Sequence, residues 1–81
     1  MKKKRLLLVD DHPIVLHGLS QLIRAEKDLD VCGEAGSAAE GLQAIERLKP
    51  DLVVADLTLP DKHGLEFIKD VQAMHPGMLA P

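Results

Sequence analysis

Three aspartates carry the chemistry that the sequence offers first. Asp10 and Asp11 close the apolar run "RLLLVDD", and Asp56 closes "LVVAD". An unpaired buried charge costs several kcal/mol, so a carboxylate at the end of an apolar strand needs a proton, a cation or donors beside it. If the two runs lie side by side, the three carboxylates converge on one crevice and their mutual repulsion favours a cation there. An all-oxygen ligand set selects a hard ion, and Mg²⁺ typically takes one or two carboxylates while keeping several waters. Beside such an ion Asp56 stays ionised and is free to attack a phosphoryl group, giving an aspartyl phosphate. Phosphoryl transfer asks mainly for positioning and charge neutralisation, and this arrangement offers both. Taken singly the acids mean less: "DDHP" is ordinary turn chemistry, and Asp56 alone serves equally well as a helix cap or turn acid. Their joint placement carries the reading.

The elements that must position these acids alternate along the chain. "RLLLVDD" reads as a buried parallel strand, and Pro13 suits the first turn of a helix, where its missing N–H is no loss. Val15, Leu19, Leu22 and Ile23 follow at helical spacing, to about Glu26. "LDVCGEAG" alternates Leu29, Val31, Gly33 and Ala35 on one face, a second strand. Ser37 to Glu40, "SAAE", is a capping box, and Leu42, Ile45 and Leu48 continue that helix until "KPD" ends it. "LVVAD" is the third strand. "GLEFIKDVQAMH" is the third helix, with Leu65, Ile68 and Val71 facing inward and "HPG" as its stop. The order βαβαβα implies an α/β fold, a parallel sheet with helices on its faces and right-handed crossovers. In such sheets ligands bind beyond the carboxyl ends of the strands, where Asp10, Asp11 and Asp56 stand.

Composition narrows the classes. Eighty-one residues suit one small domain or part of one, of marginal stability, and Phe67 is its one aromatic residue, so the core is aliphatic. A net charge of -3 argues against nucleic acid as the partner of this segment. The single cysteine, Cys32, excludes an internal disulfide and reads as a small apolar strand residue in a reducing compartment. No apolar run approaches the ~20 residues that span a bilayer, and the run after "MKKKR" is too short for a signal peptide, which makes the cytoplasm the expected location.

These residues also carry a resemblance. "LLLVDDHP", followed further on by "PDLVVADLTLPDKHGLEFI", resembles the receiver domain of two-component response regulators. "DDHP" and "GEAGSAAEGL" resemble the LuxR/NarL-type subgroup, whose receivers precede a helix-turn-helix. The likeness runs from Arg5 to Gly77 and implies a flavodoxin-like, doubly wound parallel sheet with strand order 2-1-3 in the part present. It implies that Asp56 is the phosphoacceptor for a sensor histidine kinase, and that the chain is a stoichiometric acceptor rather than an enzyme. Asp11 would bind Mg²⁺ directly, Asp10 mainly through a metal-bound water, and Thr58 through its backbone carbonyl. Pro60 and Gly64 would shape the following loop. His63 stands where the family often has an acid, a departure expected to alter the loop surface more than the chemistry. His12 reads as a loop histidine tuning local charge, and His17 and His75 as helix-surface residues.

A complete receiver has five strands and on the order of 120 residues, so residues 1–81 correspond to a partial domain whose fourth strand would start at "GMLAP". The family's Ser or Thr ending strand four and Lys ending strand five have no counterpart here, and Lys62 and Lys69 are not placed to replace that lysine. Loss of one such donor typically costs ~3 kcal/mol of transition-state stabilisation, so slowed phosphorylation is expected. With order 2-1-3 the third strand becomes an edge despite its central-strand composition. The chain is therefore expected to self-associate, by edge pairing or exchange of an element, or to be loosely folded. Two other classes remain open. A phosphatase of the haloacid-dehalogenase type wants a second Asp where Thr58 stands. A pure interaction module would bind a kinase or another receiver without chemistry.

Overall fold

Six elements follow one another: β1 (Lys4–Val9), α1 (Pro13–Arg24), β2 (Leu29–Ala35), α2 (Ala38–Leu48), β3 (Leu52–Ala55) and α3 (Gly64–Met74). The structure is a computed structural model and describes residues 3–76. The fourth strand expected at "GMLAP", and Gly77 of the helix stop, lie outside the described residues.

The three strands are parallel in the order β2-β1-β3, the doubly wound arrangement expected from the sequence. Leu6 to Val9 of the central strand are all buried, which is why β1 is a continuous apolar run rather than an alternating one. β1 pairs with β3 from Leu6↔Leu52 to Val9↔Ala55. The ladder continues one step further through the Asp56 N–H, which donates to the Val9 carbonyl at 2.9 Å. On the other side the Asp10 N–H donates to the Ala35 carbonyl at 2.9 Å. Backbone pairing thus fixes both acids at the same end of neighbouring strands.

β2 departs from simple alternation. Leu6 pairs with Val31 and Leu7 with Gly33, so Cys32 is an extra residue in the ladder. An inserted residue reverses which face the following positions occupy, so Val31 does not share a face with Gly33 and Ala35. Cys32 packs against the core as the sequence suggests, and burial pushes its thiol pKa up.

The main core lies between the sheet and the α2/α3 pair. Leu7, Val9, Ala35 and Val53 meet Ala38, Ala44 and Ile45 of α2 and Phe67 and Val71 of α3, with Leu59 joining from the β3–α3 loop. Phe67 is fully buried, and Gly41 makes room for it: a Cβ there would lie 2.9 Å from the ring. The inward face of α3 is therefore Gly64, Phe67 and Val71, whereas Leu65, expected inside, is 55% exposed. The i, i+3, i+7 spacing of the first set describes a helix face better than the spacing chosen from the aliphatic residues alone. α1 covers the opposite side of the sheet. Its Leu16, Leu19 and Ile23 are half-buried and Ser20 is buried, donating to the Glu34 carboxylate, while Val15 and Leu22 face solvent.

Helix ends follow local chemistry. Ser37 caps α2 by accepting from the Glu40 N–H at 3.1 Å, and the Glu40 carboxylate reaches back to the Gly36 N–H at 3.0 Å, one residue earlier than a standard capping box. α2 ends at Lys49 in the left-handed region, φ 51°, and Arg5 holds that turn by donating to the Lys49 carbonyl at 3.0 Å. His75 is more than a surface residue: its Nε2 lies 2.9 Å from Glu46 Oε1, tying the end of α3 to α2.

Candidate acidic site at the strand ends

The hollow beyond β1 and β3 gathers Asp10, Asp11, His12 and Asp56, whose ligand atoms all lie within 4.8 Å of one another. Side-chain exposure is graded. Asp10 is 13% exposed, Asp56 27% and Asp11 33%, so the innermost acid sits under two that remain open to solution. A separate groove of about 440 Å³ beside α1, lined by Pro13, His17, Ser20, Arg24 and Glu34, contains none of these acids. At Asp11 and Asp56 the acidic hollow is open to solvent.

His12 is the basic side chain that lies against these acids. Its Nδ1 lies 2.7 Å from Asp10 Oδ1, 3.0 Å from Asp11 Oδ1 and 3.9 Å from Asp56 Oδ2. The hydrogen bond to Asp10, followed by the charge of Asp11, holds the imidazole above its usual pKa. The ring has the three carboxylates around it, and protonation of His12 would offset part of their mutual repulsion. The same oxygen set suits a hard divalent ion, and the His12 side chain against it is 58% exposed.

Thr58 lies two residues beyond Asp56, and its hydroxyl donates to Asp56 Oδ2 at 3.3 Å, a contact the sequence does not announce. The loop from Leu57 to His63 is closed at its base: Thr58 bridges His63, and the Gly64 N–H donates to the Leu57 carbonyl at 2.6 Å. Gly64 is required by close approach. A Cβ there would lie 2.2 Å from the Asp56 carbonyl oxygen and 2.5 Å from the Leu57 Cα. His63 caps α3 through Nδ1, which accepts from the Leu65 N–H at 3.2 Å. A histidine acceptor thus fills a role that a short acid fills elsewhere. Lys62 pairs with Asp70 at 2.6 Å and does not reach the acidic hollow.

One residue of this loop was invisible in the sequence. Asp61 Oδ1 accepts from the Ala38 N–H at 2.8 Å and Oδ2 from the Ala39 N–H at 3.0 Å, capping α2 from another segment. These two donors, Ala38 first, pull its carboxyl below the usual 3.8. The available signal was only that Ser37 and Glu40 leave some first-turn N–H groups of α2 unsatisfied.

Residues 6–79 match the response regulator receiver domain family. The chain is 42% identical over 74 residues to the DNA-binding transcriptional activator DevR/DosR of Mycobacterium tuberculosis, covering 91% of this chain and 34% of that protein. It is 38% identical over 72 residues to a protein-glutamate methylesterase/protein-glutamine glutaminase of Agrobacterium fabrum, covering 89% of this chain and 20% of the relative. The crystal structure of a LuxR-family two-component response regulator from Aurantimonas sp. SI85-9A1 superposes with a TM-score of 0.85 at 38% identity, covering 91% of this chain and 53% of the other. The chain spans at most about a third of these two curated relatives. One is named as an activator of transcription and the other as an esterase, so the shared segment does not decide what the remainder of such proteins does. A family match across nearly the whole chain, on a sheet that carries Asp10, Asp11 and Asp56 to one hollow, shows that the chain belongs to the receiver domains of two-component response regulators.

Proposed function

We propose that this chain comprises the first three β–α units of a receiver and accepts a phosphoryl group on Asp56 from a sensor histidine kinase. The observation that carries the proposal is the convergence of Asp10, Asp11 and Asp56 within 4.8 Å at the ends of adjacent strands. Asp11 and Asp56, with Asp10 behind them and, by the family resemblance, the Thr58 carbonyl, are the residues to hold Mg²⁺. The ion, when bound, offsets the charge between the carboxylate and the incoming phosphoryl oxygens. The chain's own residues do the rest. Asp56 presents a carboxylate oxygen to phosphorus, held by its N–H bond to Val9 and by the Thr58 hydroxyl. An O–P bond forms as the P–N bond of a phosphohistidine breaks, and the electron pair returns to the donor imidazole, which takes up a proton. Asp56 is thereby converted stoichiometrically, which is a signalling event rather than turnover.

Among the described residues, His12 is the basic side chain within ion-pair distance of all three acids. The parent protein is proposed to be a LuxR/NarL-type transcriptional regulator acting in the cytoplasm. Among the described residues no helix is long and apolar enough to cross a membrane. Incubation with Mg²⁺ and a small phosphodonor, followed by intact mass, should add one phosphoryl group to the wild type and none to Asp56→Asn. Equal labelling of both would remove Asp56 as the acceptor.

A second reading concerns association. Within the sheet β3 pairs with β1 alone, which leaves one row of its backbone groups without a strand partner among the described residues. A second copy pairing along Leu52–Ala55 would complete it. Sedimentation should then give a concentration-dependent dimer or larger species; a monodisperse, cooperatively folding monomer at all concentrations contradicts this reading.

A further inference from the structure

We propose that Asp61 is a positioning residue: it clamps the β3–α3 loop, which carries Thr58 and its bond to Asp56, to the first turn of α2 and so holds the acidic hollow in the geometry that takes the cation. The proposal rests on the phosphoacceptor reading above and adds to it a residue outside the acidic hollow.

The argument begins with what the loop lacks. Seven residues, Leu57 to His63, lie between Asp56 and α3, and the bridge from Thr58 to His63 closes only the base of that segment. Its middle is held by two anchors of different kinds. Leu59 is buried in the core, which fixes the depth of the loop but leaves its backbone free to tilt about one apolar side chain. Asp61 supplies the missing constraint. Each carboxylate oxygen takes a different N–H, at 2.8 and 3.0 Å, and two parallel bonds to adjacent donors fix orientation as well as distance. The donors belong to α2, a helix itself pinned by Ser37, Glu40 and the buried Ala38, Ala44 and Ile45. The loop is therefore referenced to a rigid element of the fold. Lys62, the next residue, bonds to Asp70 of α3 and gives no tie outside the loop's own helix.

Positioning of this kind should appear in metal affinity. Groups that orient metal ligands typically change affinity 10–100-fold when removed. The structure also offers a way to break the clamp while keeping the carboxylate. Ala38 is the first residue of α2, where proline is tolerated, and Ser37 at φ -154°, ψ 166° already has the extended conformation that proline demands before it. Ala38→Pro deletes one donor and no charge, and because Ala38 is buried its ring must be accommodated in the core, which the urea midpoint measures. Asp70→Asn removes a nearby negative charge and the Lys62 bond while leaving the Asp61 clamp intact, and so reports the combined effect of charge and of the loop's tie to its own helix.

The test is calorimetric titration of the folded chain with MgCl₂, for wild type, Asp61→Asn, Ala38→Pro, Asp70→Asn and Asp11→Asn, each with its urea unfolding midpoint. Asp61→Asn and Ala38→Pro should each weaken Mg²⁺ binding about tenfold, and Asp70→Asn by less than about twofold. The ratio between Asp61→Asn and wild type should persist in about 1 M KCl, where screening shortens electrostatic reach to ~3 Å. A merely structural Asp61 would lower the urea midpoint and leave the Mg²⁺ affinity of the folded chain unchanged. The proposal is overturned if Asp61→Asn behaves like Asp70→Asn, or if its effect vanishes in high salt. If Asp61→Asn does not fold, Ala38→Pro decides by the same criterion. Wild-type chain showing no Mg²⁺ binding that Asp11→Asn abolishes would overturn the site reading itself, and this proposal with it.

Discussion

Gly64→Ala is the substitution in which fold and chemistry meet most closely. An added Cβ would sit 2.2 Å from the Asp56 carbonyl oxygen, 2.5 Å from the Leu57 Cα and 2.9 Å from the Asp56 carbonyl carbon. All three atoms are backbone, so no rotamer change relieves them, and restoring ordinary contact requires a shift of about 1 Å. Alanine brings an opposing benefit of ~0.5–1 kcal/mol through helix propensity and a less flexible unfolded chain. Overpacking against atoms that cannot yield costs ~1–3 kcal/mol or more, so the clash wins. For 81 residues the whole stability is on the order of 4–12 kcal/mol, which leaves the variant folded but weakened. With a urea m-value near ~1 kcal/mol/M, the midpoint should fall by roughly 1–2 M. The chemical effect should be larger, because a displacement of about 1 Å in a reacting group costs on the order of 100-fold in rate. Urea unfolding and Mg²⁺-dependent labelling by intact mass measure the two effects on one sample. A variant with the wild-type midpoint and labelling rate would refute the claim that close approach of α3 sets the Asp56 backbone.

Two further outcomes follow from the same structure. Phe67→Ala empties a fully buried site shared with Gly41 and Val9, costs ~3–5 kcal/mol and should abolish cooperative thermal unfolding near room temperature; a loss below ~1 kcal/mol would contradict its place at the centre of the core. Asp61 has its folded pKa depressed below 3.8, so its stabilisation is complete above that value and is lost as the pH falls through the lower folded one. The difference in urea midpoint between wild type and Asp61→Asn should therefore shrink as the pH drops from about 5 to below 3, and a difference constant across that range would deny the α2 cap.

The sequence disclosed most where one physical rule governed a segment. β1 is readable because a strand buried on both faces is a continuous apolar run; β3 is a similar run although only Val53 is buried, and the acids that end the two strands needed only the strand order to meet. Pro13 and Ser37 marked their helix starts for local reasons, which the structure repeats. Legibility failed where tertiary contact overrode local pattern. The extra residue Cys32 in β2 separates Val31 from Gly33 and Ala35, and no alternation rule announces a bulge. Phe67, rather than Leu65, points inward because Gly41 on another helix leaves room for a ring. The Asp61 cap joins residues more than twenty positions apart, and a Pro-Asp turn looks the same whether or not a helix end stands opposite. The Glu46–His75 contact is of the same kind; among the causes that lower the Glu46 pKa, the hydrogen bond from His75 is the largest.

The shared cation hollow can be tested without any phosphodonor, by titrating Mn²⁺ into isotopically labelled chain and following amide resonances. Paramagnetic broadening should begin at residues 10–12 and 55–58, be relieved by excess Mg²⁺ and disappear in Asp11→Asn. Broadening that starts instead around Ser20 and Glu34, or spreads evenly over the exposed acids, would contradict a single divalent site formed by Asp10, Asp11 and Asp56.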